Sequence, residues 1–221
     1  MASSLPSTDG YLYSTNSIEQ QTKSMNDSIV LNIPVEYRKI KEASDELQFN
    51  MASDLYTGSL LKTLAASKPS ARLLELGTGT GLATAWIVAG MDANSSLVTV
   101  ENNELLIEVA RKNINDSRVE FVLTDGYEWL KNYDGEKFDF IFADAMPGKY
   151  DLFEETINLL NSGGLYIIDD MLPQPNWPEG HDKKAEAFIQ QLEERNDLLV
   201  TKLNWSTGII IVTKISDASI T

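Results

Sequence analysis

The chain is predicted to fold as a doubly wound α/β domain around a seven-stranded, mostly parallel sheet. Three observations carry that prediction. Short apolar runs alternate with helical stretches from Arg72 onward, a glycine-rich turn follows the first run, and acidic residues close several of the runs. Strand, helix, strand, repeated, makes a parallel sheet covered on both faces.

The strands are expected at Arg72–Leu76, Leu97–Glu101, Val119–Leu123, Phe138–Ala143, Leu165–Asp169, Leu198–Leu203 and Ile209–Lys214. Helical patterns separate the first five; one is Leu105, Leu106, Val109, Ala110 and Ile114, a 3.6-residue repeat. Only Asn204–Gly208 separates the last two strands. That is too short for a parallel crossover, so these two pair as an antiparallel hairpin. Two N-terminal helices are expected around Glu36–Phe49 and Ser53–Ala66. Residues 1–28 are rich in Ser, Thr, Asn and Asp and read as a flexible arm, in which Tyr11, Leu12 and Tyr13 are candidates for docking. There is no internal repeat, and residues 29–221 read as one domain.

Composition narrows the function classes. At 221 residues the chain is long enough for one well-buried core. It contains no cysteine, which removes a disulfide scaffold, a cysteine-ligated metal and a cysteine nucleophile. Against 18 basic residues stand 33 acidic ones, a formal net charge of −15. That charge opposes tight binding to nucleic acid or to an anionic membrane surface. No apolar stretch approaches the roughly 20 residues that span a bilayer, and the N-terminus lacks the features of a secretory signal. The expectation is a cytoplasmic protein.

The sharpest local signal is Leu73-Leu74-Glu75-Leu76-Gly77-Thr78-Gly79-Thr80-Gly81, a buried strand running into a glycine turn and a helix from Leu82 to Ala89. Glycines serve where a ligand approaches the main chain closely or the backbone is unusual. The spacing is G-x-G-x-G. A dinucleotide site uses G-x-G-x-x-G with pyrophosphate on the helix N-terminus. Glu75, two residues before the first glycine, would repel a pyrophosphate and suits an ammonium or sulfonium. No Lys-Ser/Thr pair follows, so the turn is not a P-loop. Glu101 closes the second strand, where a carboxylate accepts both ribose hydroxyls. Asp125-Gly126 follows the third, beside an adenine. Ligands sit outside the carboxyl ends of such sheets. Together these tips point to an adenosyl cofactor without a pyrophosphate.

On these residues the sequence resembles class I S-adenosylmethionine-dependent methyltransferases over residues 70–214. More narrowly it resembles the metal-dependent catechol and caffeoyl-coenzyme A O-methyltransferase family. The further matching stretches are Met51, Gly58-Ser59-Leu60, Phe138–Ala145, Gly163–Asp170 and Thr207–Lys214. The resemblance implies a Rossmann-like methyltransferase fold, a homodimer, and S-adenosylmethionine held by Met51, Glu75, Gly77, Thr78, Gly79, Gly81, Glu101, Asn102, Asp125, Gly126 and Asp144. It also implies one divalent cation, Mg²⁺ or similar, on Asp144, Asp169 and Asp170, whose hard oxygens suit such an ion. The other reading of the same acids is direct contact with cofactor or substrate and no ion.

Two positions depart from the family. Its asparagine after the fifth strand is Asp170 here, and its lysine three residues after the first metal aspartate is Pro147. Tyr150 survives, so the register holds. Candidates for the base or electrostatic partner are therefore Asp144, Lys149 and His181. His181 is the only histidine and ends the proline-rich loop Met171–His181, in which Trp177 is placed to stack on a flat substrate or to pin the loop. Two alternatives stand beside a methyltransferase: a cofactor-binding protein without catalysis, which Pro147 favours, and an NAD-dependent oxidoreductase, which Glu75 opposes.

Overall fold

The computed structural model describes residues 29–215. The expected arm over residues 1–28, with Tyr11, Leu12 and Tyr13, lies outside the described residues, as does 216–221.

Two helices lead into the sheet: α1 (Tyr37–Glu46) and α2 (Leu55–Ala66). There follow β1 (Arg72–Leu76), α3 (Leu82–Gly90), β2 (Ser96–Glu101), α4 (Glu104–Asn113), β3 (Val119–Leu123), α5 (Gly126–Asn132) and β4 (Phe138–Ala143). The remainder is α6 (Phe153–Asn158), β5 (Leu160–Ile168), α7 (His181–Glu193), β6 (Leu198–Leu203) and β7 (Ile209–Lys214). The sheet order is β3-β2-β1-β4-β5-β7-β6. All neighbours run parallel except β5 with β7 and β6 with β7, which are antiparallel. This is the predicted architecture, with β7 inserted between β5 and β6.

The period of two along each strand divides the core. Leu74, Leu76, Val98, Val100, Ile141, Ala143, Tyr166 and Ile168 face Leu130 of α5, Phe153 and Ile157 of α6, and Phe188 and Leu192 of α7. Their neighbours Leu73, Leu97, Phe140, Phe142 and Ile167 face Leu61 and Ala65 of α2 and Ala83 and Ile87 of α3. Each fully buried side chain of this size contributes roughly 1.5–3 kcal/mol of apolar transfer. On the α2–α3 side, Gly58 has no room for a Cβ: one would lie 2.3 Å from the Trp86 indole.

Three expectations on element boundaries are corrected, the smallest being β2, which begins at Ser96, one residue before the expected Leu97. The fifth strand begins at Leu160 instead of Leu165, because the chain crosses Gly163-Gly164 in a bulge. Gly163 takes φ +77, and the register with β4 slips between Phe138 and Phe140. His181, expected at the end of a loop, is the first residue of α7, behind Gly180 as a left-handed N-cap. No helix among the described residues is long and apolar enough to cross a membrane.

Register positions the site. Leu76, the last residue of β1, lies beside Val100 of β2 and Ala143 of β4, and Ala143 lies beside Ile168 of β5. The residues that follow, Gly77, Glu101, Asp144 and Asp169, therefore emerge side by side. Glu101 pairs with Leu123, so Asp125 follows on the same edge. The chain leaves β1 toward β2 on one side and returns as β4 on the other, which opens the crevice where such sheets bind ligands.

Candidate active site

Three cavities share walls along this edge. One of about 330 Å³ lies between the tips of β2 and β3, lined by Gly77, Glu101, Asn102, Asp125, Gly126, Tyr127 and Pro147. A second, about 240 Å³, lies over the glycine turn and adds Phe49, Met51, Ser53, Thr78, Gly79 and Asp144. The third, about 610 Å³, lies on the β4–β5 side against Met51, Asp144, Lys149, Tyr150, Asp169, Asp170, Trp177, His181 and Thr207. Asp144 lines both of the latter two and stands where they join.

The glycines of the turn answer three separate demands. Gly77, at φ +100, passes the main chain of Asp144, whose carbonyl oxygen would lie 2.9 Å from a Cβ. Gly79 faces the Phe49 ring. Gly81 begins α3 in the left-handed region and packs on Ala110 of α4. Its part is helix packing, and it lines none of the three cavities.

Glu101 is fixed by three backbone donors. Oε2 accepts the N–H of Gly79 at 2.8 Å, and Oε1 accepts those of Asn102 and Asn103, each at 2.9 Å. A carboxylate has about four acceptor directions, so capacity remains toward the cavity. Asp125 is the N-cap of α5: its Oδ1 accepts from Tyr127 N–H and Glu128 N–H. The sequence assigned it to a ligand; it serves the helix and still lines the cavity.

Glu75 lines none of these three cavities. It is fully buried, and its Oε2 accepts hydroxyl hydrogens from Thr84 of α3 and Thr99 of β2, both at 2.6 Å. Thr78 of the turn hydrogen-bonds Thr99 in turn. Since Thr99 donates to Glu75, Thr78 is the donor to Thr99. The chain Thr78–Thr99–Glu75–Thr84 thus ties the turn to three elements. Oε1 of Glu75 has no hydrogen-bond partner among the described residues. Burial pushes this carboxyl up to about 7, opposed by the two threonine hydrogen bonds. The sequence reading missed the two threonines. The signal was a polar residue inside an apolar strand, Val98-Thr99-Val100.

On the β4–β5 side the electrostatics change. Burial first, and then the charge of Asp169, raise the Asp144 carboxyl well above its ordinary value. Burial and the neighbouring Asp170 push Asp169 up to about 6, against a hydrogen bond from Thr207. Asp170 is raised as well, by burial, and holds a left-handed φ of +53. The charge of Lys149 acts downward on all three. Burial pushes the Tyr150 hydroxyl up to about 12. His181 moves the other way: burial, then the charges of Lys149 and Lys184, lower it. Its ring lies 4.5 Å from Trp177 and 5.0 Å from Tyr150, centroid to centroid. Ser53, not anticipated, reaches Asp144 at 3.4 Å.

The three aspartates meet at one edge, as expected, but do not fit a divalent ion. Asp169 spends Oδ1 on the Asp170 N–H and the Thr207 hydroxyl. Among the described residues no group of three or more His, Asp or Glu side chains is arranged to hold a metal. A buried ammonium, that of Lys149, already stands beside them.

A family model described as O-methyltransferase matches residues 21–215. The chain belongs to this O-methyltransferase family. Among curated members, it is 29% identical over 136 residues to the catechol O-methyltransferase of Mycobacterium tuberculosis, covering 59% of this chain and 62% of that one. The chain spans about half the length of the first curated relatives it matches. Solved structures share the fold. The O-methyltransferase TomG of Streptomyces achromogenes, in complex with SAM, superposes with a TM-score of 0.74 at 22% identity, covering 90% of this chain and 96% of that one. An O-methyltransferase of Bacillus cereus in complex with SAH gives 0.74 at 21%, covering 90% and 97%. In this member of the O-methyltransferase family, Pro147 packs on Gly126, where a Cβ would lie 2.8 Å from the proline ring. The proline therefore belongs to the wall of the 330 Å³ cavity.

Proposed function

We propose that this protein transfers the methyl group of S-adenosylmethionine to a hydroxyl oxygen of a small acceptor. The observation that carries the reading is the alignment of the Gly77–Gly81 turn, Glu101 and Asp125 on one sheet edge, opening at Asp144 into a second, larger cavity. One compartment suits a donor and the other an acceptor. The donor supplies a methyl group on a cationic sulfonium.

The protein's own groups bind and orient. Glu101, held by three backbone N–H groups, is aimed at the ribose hydroxyls. Asp125, Gly126 and Tyr127 border the adenine. The turn and Met51 line the methionine end, with Glu75 beneath them as its support. Asp144 stands at the junction of the donor and acceptor cavities, where the methyl group would pass from one to the other. His181, lowered by burial, stays neutral at pH 7 and is available to take the acceptor's proton. Trp177 and Tyr150 line the acceptor cavity and supply its aromatic wall. Methyl transfer needs an in-line approach, so most of the catalysis here is positioning within a shielded cavity. No step is assigned to a metal, because the donor set does not fit one.

The test is calorimetric titration with S-adenosylmethionine and S-adenosylhomocysteine, followed by turnover across a panel of phenols and catechols. Uptake of both ligands and methylation of an acceptor are expected. Absence of uptake removes the reading. Uptake without turnover by any acceptor reduces it to cofactor binding.

A further inference from the structure

The 610 Å³ cavity contains a cation whose placement is unusual for a lysine. Lys149 lines the cavity and is only 4% exposed. Lysines are almost never so buried unless paired. Yet no carboxylate oxygen of the described residues lies within 4.0 Å of its Nζ, and that atom makes no hydrogen bond to a described residue. The ammonium is left facing the cavity, 5.3 Å from the centre of the Tyr150 ring. Asp144, Asp169 and Asp170 are near enough to feel its charge.

The backbone explains why position 149 points inward. Gly148, at φ +85, is pressed so tightly on Leu76 that a Cβ would lie 2.2 Å from that side chain. Its carbonyl accepts the Tyr166 hydroxyl from beneath, and its N–H donates to Asp151 O at 2.7 Å. The Asp151 N–H closes the turn on Met146 O. With position 147 given to a proline that packs against Gly126, the clamped turn delivers the next side chain but one, Lys149, into the cavity.

We propose that the Lys149 ammonium is the resident cation of the acceptor cavity, holding the reacting oxygen where the family resemblance implies a divalent ion, so that methyl transfer here needs no metal. This rests on the methyltransferase reading above. A hard cation entering the aspartate cluster would meet a positive charge already in place. An unpartnered ammonium has three N–H donors, enough to hold a developing oxyanion that is deprived of water. In the step itself the acceptor hydroxyl passes its proton to the neutral His181. An oxygen lone pair forms the new C–O bond, and the C–S pair returns to sulfur as a neutral thioether. Lys149 keeps its protons throughout.

The first test needs no acceptor. Mn²⁺ is titrated into the full chain and free ion is read by electron paramagnetic resonance, for the parent, Lys149→Met and Lys149→Gln. The parent should leave Mn²⁺ free, while removal of the ammonium should allow the aspartates to take it up, with affinity raised about tenfold or more. Adding Asp169→Asn to either variant should abolish that uptake. Mn²⁺ bound by the parent and released by Asp169→Asn overturns the proposal, as does a Lys149 variant, folded by circular dichroism, that gains no affinity. The second test uses any acceptor that turns over. Activity should be equal in EDTA and in Mg²⁺, and Lys149→Met should lose about 100-fold in turnover with calorimetric affinity for S-adenosylhomocysteine unchanged. Lys149→Arg, which keeps the charge, should recover part of the loss. Activity abolished by EDTA and restored by Mg²⁺ overturns the proposal. A parent chain that binds neither donor nor demethylated donor fails the methyltransferase reading instead, and the Mn²⁺ comparison still decides the role of Lys149.

Discussion

The Glu101 carboxylate accepts the backbone N–H of Gly79 at 2.8 Å, tying the tip of β2 to the glycine turn after β1. One carboxylate thereby fixes two strand tips. Glu101→Ala should release the turn as well as remove the ribose contact. Charge-assisted hydrogen bonds are worth about 1.5–3 kcal/mol each. Calorimetry with S-adenosylhomocysteine should therefore show a loss of about 10- to 100-fold in affinity, with Glu101→Gln intermediate. Equal affinity in Glu101→Ala and the parent would exclude this role.

Glu75 predicts a pH dependence of stability. Burial raises its folded value from 4.5 to about 7, so between those values the folded chain holds a proton that the unfolded chain releases. Stability should then fall as pH rises from 4.5 to 7 and level off above, by up to about 3 kcal/mol from this group. Glu75→Gln keeps an oxygen for Thr84 and Thr99 and cannot ionise. Its urea-unfolding free energy should lose this component of the pH slope. Parallel profiles for variant and parent would refute the assignment.

His181 is the only histidine in the chain, so its imidazole gives a single isolated proton resonance set. Burial and the charges of Lys149 and Lys184 lower it. Its titration by NMR should have a midpoint below 6.5, and Lys149→Met should move that midpoint upward by removing a positive neighbour. In turnover assays, His181→Ala should cost about 10²–10⁴-fold, the range for loss of a positioned base. A midpoint at or above 6.5 would contradict the burial of the ring.

Gly58 makes a purely structural prediction. A Cβ there would lie 2.3 Å from the Trp86 indole, a ring that is itself 1% exposed. Gly58→Ala gains helix propensity but overpacks the α2–α3 contact, and overpacking of this kind costs about 1–3 kcal/mol. Thermal unfolding should show the variant destabilised, with Trp86 emission altered. A variant as stable as the parent would mean that the indole moves aside freely.

Much of this was legible in the sequence because both faces of the central strands are covered. Strands β1, β3, β4, β6 and β7 fall at their expected limits; among them the central strands are apolar-rich runs stopped by Gly77 after β1 and by Asp144 after β4. The start of β5 was not legible, because Gly163-Gly164 reads as a turn and proves to be a bulge within the strand. The acids after β2, β3, β4 and β5 share an edge as expected. Their individual duties were hidden. Asp125 looks like a ligand but caps α5, because any acid one residue before a helix has free N–H groups within reach. Glu75 shares the strand face of Leu73, so alternation aims it at Thr84 on α3 and away from the cavities. The inward turn of Lys149 was not readable at all, since it depends on Gly148 being clamped by Leu76, Asp151 and Tyr166.

The place of β7 has a consequence for how the molecule comes into being. It lies between two strands that precede it in the chain, and the turn before it anchors the segment after β5: Gly208 O accepts from Met171 N–H, and the Thr207 hydroxyl donates to Asp169. During ribosomal synthesis β2 emerges with both of its neighbours, β1 and β3, soon after it, whereas the Lys149 compartment waits for Thr207 and Gly208, made well after Asp169 and Met171. Nascent chains halted before Ile209 should be protected from protease over β1–β3 and cut freely around Met171.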